Sequence, residues 1–297
     1  MVAASGCGFG DNSAKPGPDG GVQPDGGTGP VPDASPPDMT PGNPLCFGPM
    51  GWQLCLDAVP SGVVTLTGTL DTDRTDTSPS NPCLPTQPAS WTASLQPDAC
   101  IVVGDKVTVA SLIASGKRPL VIIGGSAIAV TTLLDVGSRH LPPAGAGANS
   151  TECQPFKRDP GIGTGGGGGA GGSFGGQAGN GGQGNNGNRT NGQAADADVG
   201  DPARLRGGCP GQAGGNSRDG DVGAGGGAVY LVSGGTITIM GAIDASGAGG
   251  LGATANNGGS GGGSGGLIVL HGAAISTTAT SLVFASGGGG SGGGAAS

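Results

Sequence analysis

The chain has 297 residues, of which 71 are glycine and 23 proline, while 3% are aromatic and 11% are charged. Average proteins contain about 7% glycine and 5% proline, so this composition excludes an ordinary globular enzyme. The formal net charge is −8 and 12 Lys and Arg residues are present. These values argue against nucleic acid as a partner, because phosphate binding depends on clustered cations.

The first seven residues end in Ala4-Ser5-Gly6-Cys7, which resembles a bacterial lipobox. In a lipoprotein, the cysteine of this box becomes the lipidated amino terminus that anchors the chain to a membrane. A signal peptide also needs a charged segment and an apolar run of roughly 7 to 15 residues before its cleavage site. We therefore interpret residues 1–7 as the remnant of a lipoprotein signal with a misplaced start, and we predict lipidation of Cys7. A chance tetrad of small residues is the alternative.

Residues 8–44 are rich in Gly, Pro, Asp and Ser and contain almost no apolar residue. Such a segment cannot bury enough surface to offset the entropy of ordering. We predict a disordered Pro/Gly/Asp tether that lifts the following domain, residues 45–297, off the membrane surface.

Six cysteines follow the tether. An even number in an exported chain favours disulfides, which persist in an oxidising compartment, and the absence of a Cys-x-x-Cys spacing disfavours zinc. Nearness in sequence is the only guide to the pairing, and it favours Cys46–Cys55, Cys83–Cys100 and Cys153–Cys209. The first pair ties the ends of an apolar segment that contains Phe47 to Trp52 with Leu54 and Leu56, and we expect this segment to cover one end of the fold.

One spacing of apolar residues recurs about five times, and its last copy is degraded. The copies occupy residues 61–73, 100–116, 120–138, 229–247 and 267–287. Their apolar residues lie two apart with Thr often between them, which is the period of a half-buried strand and not of a helix. The frames that begin at Ile101 and Ile122 are 21 residues apart, which is about one turn of a solenoid. The sequence therefore predicts an all-β chain folded as a parallel β-solenoid of about five turns, and it resembles right-handed parallel β-helices.

Each turn of such a stack exposes its backbone groups until a neighbour covers it, so one copy alone would not fold. The inward residues of the three complete frames are predicted to share one core. They are Ile101, Val107, Val109, Ile113, Ile122, Ile128, Val130, Leu134, Leu231, Ile237, Ile239 and Ile243.

A Gly-rich insertion, residues 139–227, separates the third frame from the fourth. One interpretation is flexible disorder. The other is a layer of extended, polyglycine-II-like helices, because backbones without side chains approach closely enough to exchange hydrogen bonds. We favour packing, since Cys153 and Cys209 would close the excursion and Phe174 would anchor it. The Gly runs beside the later frames would join the same layer.

Three carboxylates fall at the same position of three frames, namely Asp71, Asp135 and Asp244. In one interpretation they stack into a column, and because stacked carboxylates repel each other, such a column would bind calcium. In the simpler one, each Asp ends a strand and hydrogen-bonds its own turn.

A second weak calcium candidate is formed by Asp196, Asp198 and Asp201, which resemble a calcium loop but lack the Gly and the bidentate Glu of an EF-hand. No other cofactor is predicted. No nucleophile elbow, zinc-protease motif or phosphate-binding loop occurs, so no catalytic residue is assigned.

The lipobox, the acidic Pro and Gly tether, the paired-cysteine head and the Gly-rich β repeats together resemble the large paralogous sets of uncharacterised surface lipoproteins of myxobacteria. The resemblance covers nearly the whole chain, but it lies in the composition and order of the segments. None of its motifs is specific to an activity. It implies export to the outer membrane or cell surface of a Gram-negative bacterium. It assigns no catalytic or binding residue.

Two classes of function stay open. The first is a surface-anchored structural, adhesive or ligand-binding lipoprotein without catalytic activity, whose partners are the membrane, through the lipid, and a surface polysaccharide or protein. The second is a polysaccharide lyase or hydrolase built on a β-helix, an idea that rests on architecture alone. A minor alternative is binding to ice or another crystal surface, through Thr65, Thr67 and Thr69 or through the Gly layer.

The lipoprotein interpretation makes a genomic prediction. We expect about a dozen in-frame codons upstream of Met1 to encode a basic segment followed by apolar residues. The genomic sequence tests this directly. An upstream region without such a segment would remove the reason to assign a lipid to Cys7.

Overall fold

The computed structural model describes residues 45–78, 80–139, 143–163, 165–185, 190–197, 203–216, 222–254 and 256–294. The predicted signal remnant, residues 1–7, and the predicted tether, residues 8–44, lie outside these ranges. The interpretations of Cys7 and of the tether therefore stay predictions.

Strands are the predominant regular elements of the described chain, and its one helix spans five residues. This confirms the prediction that strands dominate and helices are nearly absent. The elements are β1 (Leu45–Phe47), β2 (Leu54–Leu56), β3 (Val63–Asp71), α1 (Ala89–Ala93), β4 (Cys100–Ser115), β5 (Leu120–Asp135), β6 (Ala228–Ser233), β7 (Thr236–Ile239), β8 (Ala242–Asp244), β9 (Leu267–His271), β10 (Ala274–Thr277) and β11 (Leu282–Phe284).

Nine of these strands form one sheet, and all of its pairings are parallel. The order along the sheet is β10-β7-β5-β4-β3. The long strand β5 pairs with β4 on one side, and on the other side with β6, β7 and β8 in succession. β9 continues from β6, and β11 continues from β8. The strands β1 and β2 form a separate antiparallel hairpin.

The pairing of β4 with β5 shifts register twice, between Gly104 and Lys106 and between Val109 and Ser111. At each shift β5 gains one residue relative to β4, as at a β-bulge. A single spacing between the frames therefore cannot hold along the whole strand. A one-residue slip moves a side chain to the opposite face of the sheet, and two predicted core positions are wrong for this reason.

Ile101 pairs with Val121 and not with Ile122, and it belongs to a hydrophobic cluster on the outer face of the sheet. Ile113 is 39% exposed, and Leu112 takes its place in the core in register with Leu134. The other predicted core residues all lie in one inner cluster with Leu112. The prediction of a single shared core is therefore correct except at Ile101 and Ile113.

The outer cluster covers the first segments of β4 and β5 together with β6 and β9. Its cover consists of the hairpin β1–β2, Trp91 of α1, and Phe174 and Leu205 of the Gly-rich insertion. The hairpin thus packs on a side of the sheet, and the expectation that it covers an end of the fold is wrong. Burial on both faces explains why these strand segments read as continuous apolar runs, such as Leu120–Ile123.

No helix or strand of the described chain lies between β5 and β6. The described parts of the insertion are nevertheless hydrogen-bonded to the C-terminal Gly runs at every third residue. Gly166, Gly169 and Gly172 donate their amides to the carbonyls of Asn256, Gly259 and Gly262, with N···O distances of 3.2, 2.9 and 2.9 Å. The same interval recurs where Gly247, Gly250 and Ala253 donate to Ser286, Gly289 and Gly292. An interval of three is that of an extended helix with three residues per turn, which forms no hydrogen bonds within itself.

Many glycines in these segments have no room for a side chain. A Cβ on Gly169 would lie closer than 3.0 Å to the carbonyl oxygen of Gln212, and one on Gly172 equally close to that of Cys209. By contrast, a Cβ on Gly176 or Gly179 would have nothing within 4 Å. The same stretch therefore contains glycines that are sterically required and glycines that are not.

This difference predicts how alanine substitutions act. We expect Gly169→Ala and Gly172→Ala each to destabilise the fold by about 1–3 kcal/mol, the usual cost of overpacking. Each kcal/mol corresponds to a fall in melting temperature of roughly 2–4 °C for a chain of this size. Thermal unfolding followed by circular dichroism measures the effect.

The matched controls are Gly176→Ala and Gly179→Ala, which should leave the melting temperature unchanged or slightly raise it, because alanine restricts the unfolded chain. If all four variants melted at the same temperature, and a nonspecific protease cut wild type first near residue 170, the packed Gly layer would be refuted.

Candidate functional site: the hydroxyl face of the sheet

The middle segments of the sheet carry one row of small outward side chains, which we call the hydroxyl face. The row consists of Thr65, Thr108, Ala129, Thr238 and Ser276, each in register with the next on neighbouring strands. Parallel strands lie about 4.8 Å apart, so the row repeats at that spacing. The hydroxyl of Ser276 donates to the Thr238 hydroxyl at 3.2 Å. None of the five residues is buried.

The row arises from the alternation of inward and outward residues along each strand. In four of the five strands, its member stands between two inward apolar residues, as Thr108 does between the buried Val107 and Val109. β-branched side chains such as Thr suit this pleated position. Thr therefore stands between apolar residues in three of the five strands. The predicted row of threonines ran along one strand, through Thr65, Thr67 and Thr69, whereas the observed row crosses from strand to strand.

The neighbouring row contains one charged side chain, Lys106. Its members in register are Val63, Lys106, Ala127, Thr236 and Ala274. The hydroxyl face is therefore nearly uncharged, and it offers methyl and hydroxyl groups on a regular strand lattice. Such a surface can contact an extended ligand through hydrogen bonds and apolar contacts together.

The three repeated carboxylates do not form one column. Asp135 and Asp244 are in register on β5 and β8, but Asp71 lies opposite Ser115. Two register shifts, one after Leu66 in the pairing of β3 with β4 and one after Val109 in the pairing of β4 with β5, each add one residue. Together they carry Asp71 two positions past the row of Asp135, which contains Ile113 and Thr69. The predicted stack of three is therefore wrong.

The simpler interpretation of these residues is confirmed at all three. An Oδ1 atom of Asp71, Asp135 and Asp244 accepts a hydrogen bond from the amide two residues later, at 2.9, 2.9 and 2.8 Å. This is the Asx turn that Asp commonly forms at the end of an element. The second carboxylate oxygen of Asp135 binds the Arg139 guanidinium, and the Asp135 side chain is 3% exposed. Its carboxylate is thus already neutralised by a partner and covered.

The second calcium candidate is only partly described. Asp196 forms an exposed ion pair with the Lys157 ammonium group, while Asp198 and Asp201 lie outside the described residues. In the ranges that the structure covers, no three His, Cys, Asp or Glu side chains come together as a metal site would require. Calcium binding therefore stays a prediction without a described site.

All three predicted disulfides are present. The sulfur atoms of Cys46 and Cys55, of Cys83 and Cys100, and of Cys153 and Cys209 are bonded. The first bond ties the two strands of the hairpin at a register pair. The third closes the Gly-rich insertion, as the sequence suggested.

An aromatic cluster lies beneath the hairpin. The Tyr230 ring stacks on Trp91 at a centroid distance of 6.3 Å and meets Trp52 edge to face at 5.6 Å. Burial raises the pKa of the Tyr230 hydroxyl above its ordinary value. This hydroxyl has no hydrogen-bond partner among the described residues, and a Cβ on Gly48 would collide with it. The cluster therefore contributes packing, while burial of the unpartnered Tyr230 hydroxyl lowers the free energy of unfolding.

One histidine, His271, lies within the described residues, and it is not part of the hydroxyl face. His271 ends β9 and is half-buried, and burial lowers the pKa of its imidazole. His140 lies outside the described residues.

No helix in the described part of the chain is long and apolar enough to cross a membrane. No protein-family model, no curated protein and no solved structure matches the chain. Function must therefore be argued from the residues themselves.

The unpartnered hydroxyl of Tyr230 leads to a prediction. Removing a buried polar atom that lacks a partner relieves a desolvation penalty of about 1–3 kcal/mol, so Tyr230→Phe should raise the free energy of unfolding by up to that amount. Chemical denaturation measures it. Trp91→Phe is the comparison, since it removes the indole that donates to the Pro97 carbonyl at 2.8 Å, and it should destabilise. Destabilisation by Tyr230→Phe would show that the hydroxyl has a partner in solution.

Proposed function

We propose that this chain is a non-catalytic binding and adhesion module, held at a bacterial surface by a lipid on Cys7 and a flexible tether. Its fold is a right-handed parallel β-solenoid of about five turns with a polyglycine-II-like layer on one side. The hydroxyl face is its binding surface, and a neutral polysaccharide is its ligand. The observation that carries the proposal is the row of uncharged small side chains repeated across five strands.

The solenoid is supported by the way later strands pair with β5. β6, β7 and β8 follow each other along the chain and pair in parallel with three successive segments of that strand. β9, β10 and β11 then repeat the arrangement on β6, β7 and β8. A chain that returns to the same register after each circuit stacks its turns, and side chains of one position then form rows.

The polyglycine layer is supported by hydrogen bonds between separate Gly-rich segments, which recur at every third residue. It is also supported by the steric requirement for glycine at positions such as Gly169 and Gly261. It gives order without a large apolar core, because amides such as those of Gly169 and Gly261 donate to carbonyls of neighbouring segments.

A neutral ligand fits the charges of the molecule. The chain has a net charge of −8, which repels polyanions, and the face itself carries no acidic residue that would attract a cation. Sugars present hydroxyl edges and apolar ring faces, which match the hydroxyls and methyls of Thr and Ala. A row without carboxylates suits a binder better than a hydrolase, which needs two carboxylates about 5–10 Å apart across a groove.

Sedimentation with insoluble neutral polysaccharides tests the proposal, with cellulose, chitin and an insoluble β-glucan as probes and the intact chain as the protein. We expect binding of at least one probe and no release of reducing sugar. The triple variant Thr65→Val, Thr108→Val and Thr238→Val keeps the β-branched shape but removes three hydroxyls. Since each lost hydrogen bond costs about 0.5–1.5 kcal/mol, affinity should fall at least tenfold.

The matched control replaces three exposed threonines elsewhere, Thr75, Thr92 and Thr151, by Val. Equal loss of affinity in both triple variants, or absence of binding to every probe, would contradict the assignment of the face. Release of soluble sugar fragments would instead establish the enzyme alternative.

The same row favours one second candidate, binding to ice. A row of hydroxyl and methyl groups that repeats at the strand spacing of about 4.8 Å suits a crystalline surface. Thermal hysteresis of the wild type and of the same two triple variants tests ice binding. If the row binds ice, hysteresis should occur in the wild type and in the control variant. It should be absent in the variant that lacks the hydroxyls of Thr65, Thr108 and Thr238.

A further inference from the structure

The sheet ends at strands β10 and β11, which pair on one side only. Within the described residues, β10 pairs with β7 and β11 with β8, and their other edges have no partner. An open edge presents unpaired N–H and C=O groups that readily accept another strand. This end of the sheet is therefore able to extend by backbone hydrogen bonding.

Apolar side chains accompany the open edge. Ile275 is in register with the buried Ile237 but is 40% exposed, because no further strand covers it. Leu282 and Phe284 of β11 are 59% and 37% exposed. Residues 273–280 are all exposed. The last layer of the core is thus left open at this end.

The distribution of charge distinguishes the two ends of the sheet. No Asp, Glu, Lys or Arg occurs from residue 245 to residue 297, although the chain has a net charge of −8. The opposite end, at β3, carries Asp71 and is followed by Asp73 and Arg74. Charged side chains are a usual protection of edge strands against pairing. The β3 end has this protection and the β10–β11 end lacks it.

We infer that the β10–β11 end is an interface with a second copy of this chain, formed by two β10 edges that pair antiparallel across a two-fold axis. A two-fold contact places the same patch on both copies, so the uncharged ends meet each other and the net charges stay apart. A head-to-tail contact would instead bring the charged β3 end of one copy against this apolar edge. The pairing completes the backbone hydrogen bonds of both edges and covers Ile275 and Leu282.

Sedimentation velocity of the intact chain from about 1 to 100 µM tests the inference. We expect a monomer–dimer equilibrium whose dissociation constant changes little between low and high salt, because no charge lies at the contact. Ile275→Lys and, independently, Leu282→Lys should each raise the dissociation constant at least tenfold. Val63→Lys is the control, since Val63 is 71% exposed at the opposite end, and it should leave the dimer unchanged.

Circular dichroism of each variant establishes that it is folded before its association is compared. A wild-type chain that stays monomeric over the whole range overturns the inference. Dimer formation by both lysine variants with unchanged affinity also overturns the inference. Longer oligomers would indicate a head-to-tail contact if Val63→Lys abolished them. That result would also overturn the inference of a two-fold contact.

Discussion

The parallel pairing along β5 is the interaction on which the rest of this structure depends. β5 offers one edge to β4 and the other to β6, β7 and β8, so every later strand takes its register directly or indirectly from it. Its inward residues, Ile122, Ile128, Val130 and Leu134, are at most 1% exposed. A chain with few aromatic residues can form a continuous core in this way, because each strand adds its inward residues to rows that already exist.

The Gly-rich segments pack in a different way from the sheet. On the sheet, side chains fill space and backbones pair at strand spacing, whereas in the Gly-rich segments backbones approach each other directly. The missing Cβ at Gly169, Gly172 and their equivalents allows amide and carbonyl groups of separate segments to meet. The disulfide Cys153–Cys209 closes this region. The packing therefore depends on the positions of glycines and not on their number alone.

The different coverage of the sheet's surfaces decides which parts of the molecule can meet a partner. The hairpin, α1 and the insertion occupy the outer face beside the first strand segments. The middle segments keep their outward row of Thr, Ala and Ser exposed or half-exposed. The repeated Asp residues are engaged in their own turns. The accessible outward row of these middle segments contains no charged side chain.

The sequence by itself determined the strand character, the repeated frames and the Asp turns, because each depends on spacing within a short stretch of chain. It suggested the disulfide pairs only through nearness in sequence, and the structure decided that this pairing is the correct one. Tertiary structure alone decided the register shifts that turned Ile101 outward and exposed Ile113, the separation of Asp71 from Asp135, and the place of the hairpin. A period of two tells which residues share a face, but not which face is covered or where a bulge inserts a residue. Thr65, Thr108 and Thr238 stand between apolar residues in the sequence, but only the pairing of the strands shows that they belong to one row.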